Sequence, residues 1–219
     1  MCGITGFFDF RARFPHAEML RLATAMADML RERGPDSDGA WADEGAGIAF
    51  GHRRLSIVDL SPAGHQPMLS ASGRSVLCYN GEIYNAEELR PQLQARGIVF
   101  RGHSDTEVIL EACEAWGVEA TAKRLIGMFA FAWWDAGERR LWMARDRLGI
   151  KPLYWTKAED VVLFGSQPKS FFPHPAWRPV LDRDALSAYF QFAYLPSERS
   201  IYRDVRQVSP GSIVAIDAA

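Results

Sequence analysis

The sequence predicts an α+β fold in which antiparallel sheets pack with helices, and three observations carry that reading. Helical and strand-like segments come in blocks and do not alternate strictly as β-α-β units. Four strand-like runs, at residues 128–134, 140–145, 153–156 and 161–165, follow one another, with turns at Asp135-Ala136-Gly137 and Leu148-Gly149-Ile150-Lys151-Pro152 separating the first three. Helical patterns precede that block, at 86–96, 106–116 and 119–125.

Taken in order, the chain opens Met1-Cys2-Gly3-Ile4-Thr5-Gly6-Phe7-Phe8, and residues 4–8 read as a buried strand. Residues 17–33 read as an amphipathic helix with Leu22, Met26, Met29 and Leu30 at helical spacing, positions that suit a core. Gly34-Pro35 ends it and Asp36-Ser37-Asp38-Gly39 is turn chemistry. Apolar runs at 47–50 and 55–58 bracket His52-Arg53-Arg54, and residues 61–67 form a loop. A short strand at 76–79 runs into Asn80-Gly81, the strongest short turn signal in the chain. Gly97 caps the 86–96 helix, and Ser104 or Asp105 is the N-cap of the next. A helix at 184–193 leads to Tyr194-Leu195-Pro196 and a strand-like end at 212–216. Residues 2–172 thus read as one domain, and 173–219 as a helix and linker leading out of it.

Composition narrows the function classes. The 219 residues are 48% hydrophobic and 24% charged, which predicts a packed core. A formal charge of −2 offers nothing to nucleic acid, and no apolar run is long enough to span a bilayer. Asp9, Arg11 and Arg13 interrupt any signal-peptide core. Cys2, Cys78 and Cys113 are too scattered for a disulfide framework, so the reading is a reducing, cytoplasmic protein. The five histidines show no HxxxH or HExxH spacing, and neither GxxxxGK[ST] nor GxGxxG occurs.

Several residues carry candidate chemistry. Removal of Met1 leaves Cys2 with both a thiol, of ordinary pKa about 8.5, and a free α-amine, of roughly 7.7–8.0, so the amine can act as base for the thiol. On local grounds alone the first eight residues favour a small buried residue at a strand start. The Asn80 amide and the Gly81 N–H can place two donors on one developing oxyanion, or mark a plain hairpin turn. Arg54 can clamp a carboxylate in bidentate fashion or be a solvated edge charge, and Arg53 should point to the opposite face. Asp105 is a helix N-cap, a partner for a substrate ammonium, or both. A Cys2–His52 hydrolase pair is compatible with the spacing. Arg145-Asp146-Arg147 reads as a structural ion-pair cluster, and Cys78 and Cys113 as packing residues.

Seven segments together resemble one family: Cys2-Gly3-Ile4, Arg33-Gly34-Pro35-Asp36, the run from His52 to Asp59, the run Asn80-Gly81-Glu82-Ile83-Tyr84-Asn85, Ser104-Asp105-Thr106-Glu107, Gly127-Met128-Phe129-Ala130-Phe131, and the run from Arg145 to Tyr154. In this order they look like the glutaminase domain of glutamine-hydrolysing asparagine synthetases, the class II, N-terminal-nucleophile glutamine amidotransferases. The resemblance implies a four-layer αββα sandwich. It implies Cys2 as nucleophile, Asn80 and Gly81 as oxyanion hole, and Arg54 on the glutamine carboxylate with backbone support from Leu55, Ser56, Ile57 and Val58. Asp105, helped by Glu82, would take the ammonium, and the loop from Arg33 to Asp36 would close over glutamine. The family's pyrophosphatase loop has no counterpart here. ATP, Mg²⁺ and aspartate are therefore expected on a synthetase half in cis or trans, with no cofactor or metal in this chain. The family usually has glutamate where Gln167 stands. Amidation of another carboxylate, a non-catalytic glutamine-sensing role and a homodimer are further readings compatible with it.

Overall fold

The computed structural model describes residues 1–56, 64–195 and 198–217. Strand β1 (Gly3–Asp9) is buried along its whole length. Successive strand side chains face opposite ways, so Ile4 and Phe8 enter one core layer and Phe7 another. It lies between β3 (Ile48–Arg54) and β9 (Val161–Gly165), antiparallel to both. With β2 (Ser37–Asp43), β8 (Tyr154–Ala158) and β10 (Arg206–Gln207) they form a six-stranded sheet, ordered β10-β8-β9-β1-β3-β2. A five-stranded sheet runs β11-β7-β6-β5-β4, from β11 (Ile213–Asp217) through β7 (Arg140–Arg145), β6 (Gly127–Asp135) and β5 (Ser75–Ile83) to β4 (Met68–Leu69).

Three apolar layers hold these sheets. Phe8, Phe50, Cys78, Ala132, Trp134 and Phe164 fill the space between them. Helix α1 (His16–Asp28) buries Met19, Leu22 and Met26 with Phe7 and Leu163 on the outer face of the six-stranded sheet. Helices α2 (Ala86–Gln94), α3 (Asp105–Trp116) and α4 (Val118–Arg124) cover the other sheet, where Leu93, Val108 and Ile109 meet Tyr79, Phe129 and Phe131. The result is the expected four-layer αββα sandwich. Helix α5 (Arg183–Phe192) is different: it buries Ala185 and leaves Phe190 79% exposed.

The structure corrects several local readings. Asn80-Gly81 is no turn: both residues lie inside β5, opposite Ala130 and Phe129 of β6. The ladder with β6 outweighs the local preference, and glycine serves a close approach, since a Cβ at Gly81 would sit 2.3 Å from the Met128 carbonyl oxygen. His52-Arg53-Arg54 completes β3, and Ile57 and Val58 of the apolar run after it lie outside the described residues. Asp36-Ser37-Asp38-Gly39 leads straight into β2, whose pairing with β3 begins at Ser37 and Arg54. Helix α1 ends at Asp28, and tight turns carry the chain from Leu30 to Gly34. The tail from Pro173 is more than a linker: β10 pairs with β8 and β11 with β7, satisfying backbone groups on the edges of both sheets.

Arg145-Asp146-Arg147 is not an ion-pair cluster either. Arg145 donates to the carbonyls of Gly149, Lys151 and Val208, and Asp146 accepts from the N–H groups of Phe129, Leu148, Ile150 and Lys151. Arg147 donates to the carbonyls of Leu125 and Lys123. These charges tie down a loop whose backbone has no sheet to bond to.

Candidate active site

A cavity of about 110 Å³ opens where the ends of β1 and β3 meet the exit of β5 and the start of α3. Cys2, Arg54, Leu55, Asn80, Gly81, Glu82 and Asp105 all line it. The structure therefore brings together seven of the residues singled out from sequence. Ser56 is not among the lining residues; its N–H donates to Asp36 Oδ2 at 2.8 Å. Ile57 and Val58 lie outside the described residues.

One wall belongs to the six-stranded sheet. Cys2 precedes β1, and its sulfur lies 3.4 Å from the Leu55 nitrogen, which donates to it, and 3.6 Å from the Leu55 carbonyl oxygen. Arg33 Nε donates to the Cys2 carbonyl oxygen at 3.0 Å. Met1, 56% exposed, lies at the mouth, so cleavage after it uncovers the Cys2 amine beside its own sulfur. Arg54 ends β3 and shares the Ile48-Phe50-His52 face, the one directed at the second sheet. Arg53 takes the opposite face, as expected, and pairs there with Asp28 and Asp38. The loop bearing Asp36 is tied to the same segment, Asp36 N–H donating to the Arg54 carbonyl oxygen at 3.0 Å.

The other wall belongs to β5 and α3. Asn80 is 1% exposed, and its Nδ2 has no acceptor among the described residues. Such a buried donor is costly to leave unpaired and is therefore a candidate for a ligand oxygen. The next odd-numbered backbone positions of β5 share one edge. On it, Tyr79 N–H donates to Gln66 Oε1 at 2.6 Å and Ile83 N–H to Asp105 Oδ2 at 3.1 Å. The Gly81 N–H lies between them on that edge, facing the cavity that Gly81 lines. Ser104 takes the N-cap role, its hydroxyl accepting from Glu107 N–H, which leaves the Asp105 carboxylate for the cavity. Burial pushes the Asp105 carboxyl up from its ordinary value, opposed by hydrogen bonds from Tyr79 and Ile83.

His52 does not line the cavity; its Nε2 bonds the Tyr79 carbonyl oxygen, and burial lowers its pKa to about 3. That geometry does not join it to Cys2 as a base. Burial also pushes the thiols of Cys78 and Cys113 above the ordinary range, in keeping with packing roles. Gln66, Tyr79, Thr106, Met128 and Lys151 also line the cavity and were not singled out from sequence. They arrive from separate elements; Thr106, Met128 and Lys151 lie within segments that carry the family resemblance, but no local chemistry marked them as site residues. Among the described residues no His, Cys, Asp or Glu cluster is placed to hold a metal, and no helix is long and apolar enough to cross a membrane.

Comparison with known proteins agrees with this architecture. The chain is 39% identical over 215 residues to asparagine synthetase [glutamine-hydrolyzing] 3 of Bacillus subtilis strain 168, covering 96% of this chain and 34% of that protein. It is 41% identical over 213 residues to asparagine synthetase [glutamine-hydrolyzing] 1 of the same organism, covering 97% and 33%. The chain thus spans about a third of the length of these relatives. Among solved structures, the allosteric regulatory enzyme of purine biosynthesis superposes with a TM-score of 0.69 at 21% identity, over 99% of this chain and 47% of that one, which shows a shared fold. The model of the glutamine amidotransferase domain matches residues 1–219, and the chain belongs to that family.

Proposed function

We propose that this chain hydrolyses L-glutamine to glutamate and ammonia through a thioester on Cys2, and that the ammonia serves ATP-dependent amidation of aspartate to asparagine on a synthetase half in cis or trans. The convergence of Cys2, Arg54, Asn80, Gly81 and Asp105 on one cavity carries the reading. The names and lengths of the relatives support the synthetase partner. ATP and Mg²⁺ belong to that partner in this scheme. The free thiols Cys2, Cys78 and Cys113 fit a reducing cytoplasm.

The Cys2 α-amine accepts the thiol proton, and Sγ attacks the side-chain amide carbon of glutamine. Asn80 Nδ2 and the Gly81 N–H hold the resulting oxyanion. The proton passes to the amide nitrogen, ammonia leaves and a γ-glutamyl thioester remains. Water then cleaves the thioester, releasing glutamate and restoring the thiol. Throughout, Arg54 holds the α-carboxylate, and Asp105, with Glu82 near the rim, holds the α-ammonium.

Glutamate release from L-glutamine tests this, on protein whose first residue is verified as Cys2. Cys2→Ala should abolish turnover while glutamine still binds, and so should retention of Met1, which leaves no free amine on Cys2. Wild-type protein that binds glutamine without releasing glutamate would replace the enzyme with a sensor.

A further inference from the structure

Asp105 does not meet the cavity unassisted. Tyr79, 2% exposed, sits among the apolar side chains between β5 and α3, and its hydroxyl donates to Asp105 Oδ2 at 2.8 Å. The Ile83 N–H donates to the same oxygen at 3.1 Å, so Oδ2 carries two hydrogen bonds from β5. Gln66 adds a second tie at the same place, accepting from Tyr79 N–H at 2.6 Å while its Nε2 reaches Thr106 Oγ1 at 3.4 Å. One residue of β5 is thus bonded to α3 through its hydroxyl and, by way of Gln66, through its backbone.

We propose that Tyr79 is a positioning residue for the substrate ammonium. By holding Oδ2 together with the Ile83 N–H, it reserves Oδ1 of Asp105 for the cation, and so sets the selectivity for substrates that carry an α-ammonium. This rests on the glutamine site proposed above. The chemistry of the donor matters. A neutral hydroxyl orients the carboxylate and leaves its negative charge available, whereas a lysine or arginine in its place would pair with that charge. Because the ammonium is bound in ground and transition states alike, the effect belongs in KM more than in kcat.

The test compares Tyr79→Phe with wild type using two ligands: L-glutamine, and 4-carbamoylbutanoate, which keeps the amide and carboxylate but lacks the ammonium. The KM for glutamine should rise about tenfold, the size of one hydrogen bond to a charged group, with kcat within about twofold. The inhibition constant of 4-carbamoylbutanoate should stay within about twofold, since no cation is there to lose. Equal weakening of both ligands, or no change for glutamine, would overturn the proposal. Tyr79→Met, which also fills an apolar site and lacks the hydroxyl, carries the same expectation if the phenylalanine variant is insoluble. If wild type releases no ammonia, the hydrolase reading falls while the Tyr79 assignment is still decided, by calorimetric titration of the same two ligands; failure of both to bind overturns it as well.

Discussion

The two walls of the cavity are built differently. On the five-stranded sheet, Asn80 and Gly81 lie inside a nine-residue ladder with β6, Asn80 is fully buried, and Asp105 is bonded to the same strand. On the six-stranded sheet, Cys2 precedes β1, Arg54 ends β3, and both are half-buried. In the proposed reaction, the donors that would meet a developing negative charge are held within a sheet before substrate arrives, where they would need no reorganisation. The groups that would admit the substrate and attack it sit at strand ends, where the chain has room to adjust.

If this division is right, substitutions on the two walls leave different kinetic signatures. Leaving aside the nucleophile Cys2, whose loss should abolish turnover, the largest effect is expected at Asn80. Asn80→Ala should lower kcat by about 10²–10³-fold, the usual size for one oxyanion donor, with little change in KM. Steady-state glutamate release decides this, and a change confined to KM would break the comparison. Arg54→Ala should do the reverse, raising the KM for glutamine by about tenfold or more and leaving kcat within a few-fold, because a carboxylate clamp acts equally in ground and transition states. A fall in kcat without a rise in KM would assign Arg54 to the reacting centre.

The walls also differ in how well the sequence announces them. Cys2 was legible as a candidate because a cysteine behind a removable methionine has a distinctive chemistry, but the local run alone favoured a small buried residue, and only the seven segments taken together pointed to a nucleophile. Asn80 and Gly81 were legible as donors but not in their setting: the pair looks like a turn until β6 arrives and makes it strand. Asp105 was left open between cap and ligand, and the Ser104 hydroxyl settles the cap. Tyr79 and Gln66 were invisible as site residues, and Lys151 stood only as part of a matching segment, because each reaches the cavity through long-range packing. The sandwich followed from blocks of periodic segments, whereas β4 and β10, two residues each, carry no periodicity to read.

The smallest expected effect sharpens the comparison by probing what joins the walls. His52 belongs to β3, yet its Nε2 bonds the carbonyl oxygen of Tyr79 on β5, at 3.2 Å. Nearby, the Cys78 thiol of β5 donates to the Gly51 carbonyl oxygen of β3. A carbonyl partner requires the tautomer with hydrogen on Nε2, and burial lowers the folded pKa of this imidazole to about 3. An unfolded histidine titrates near 6.5, at about its ordinary value. Between those two values the unfolded chain binds a proton that the folded chain does not, so stability is fully present above about pH 6.5 and falls as pH drops toward 3. His174, lowered by burial to about 4, acts in the same direction. For His52 alone, going from pH 7 to pH 5 should remove about 2 kcal/mol of unfolding free energy. Urea titrations at both values measure the drop. His52→Gln, which keeps an N–H donor and cannot titrate, should begin less stable at pH 7 and lose less on acidification. Equal losses in the two proteins would show that protonation elsewhere governs the acid response.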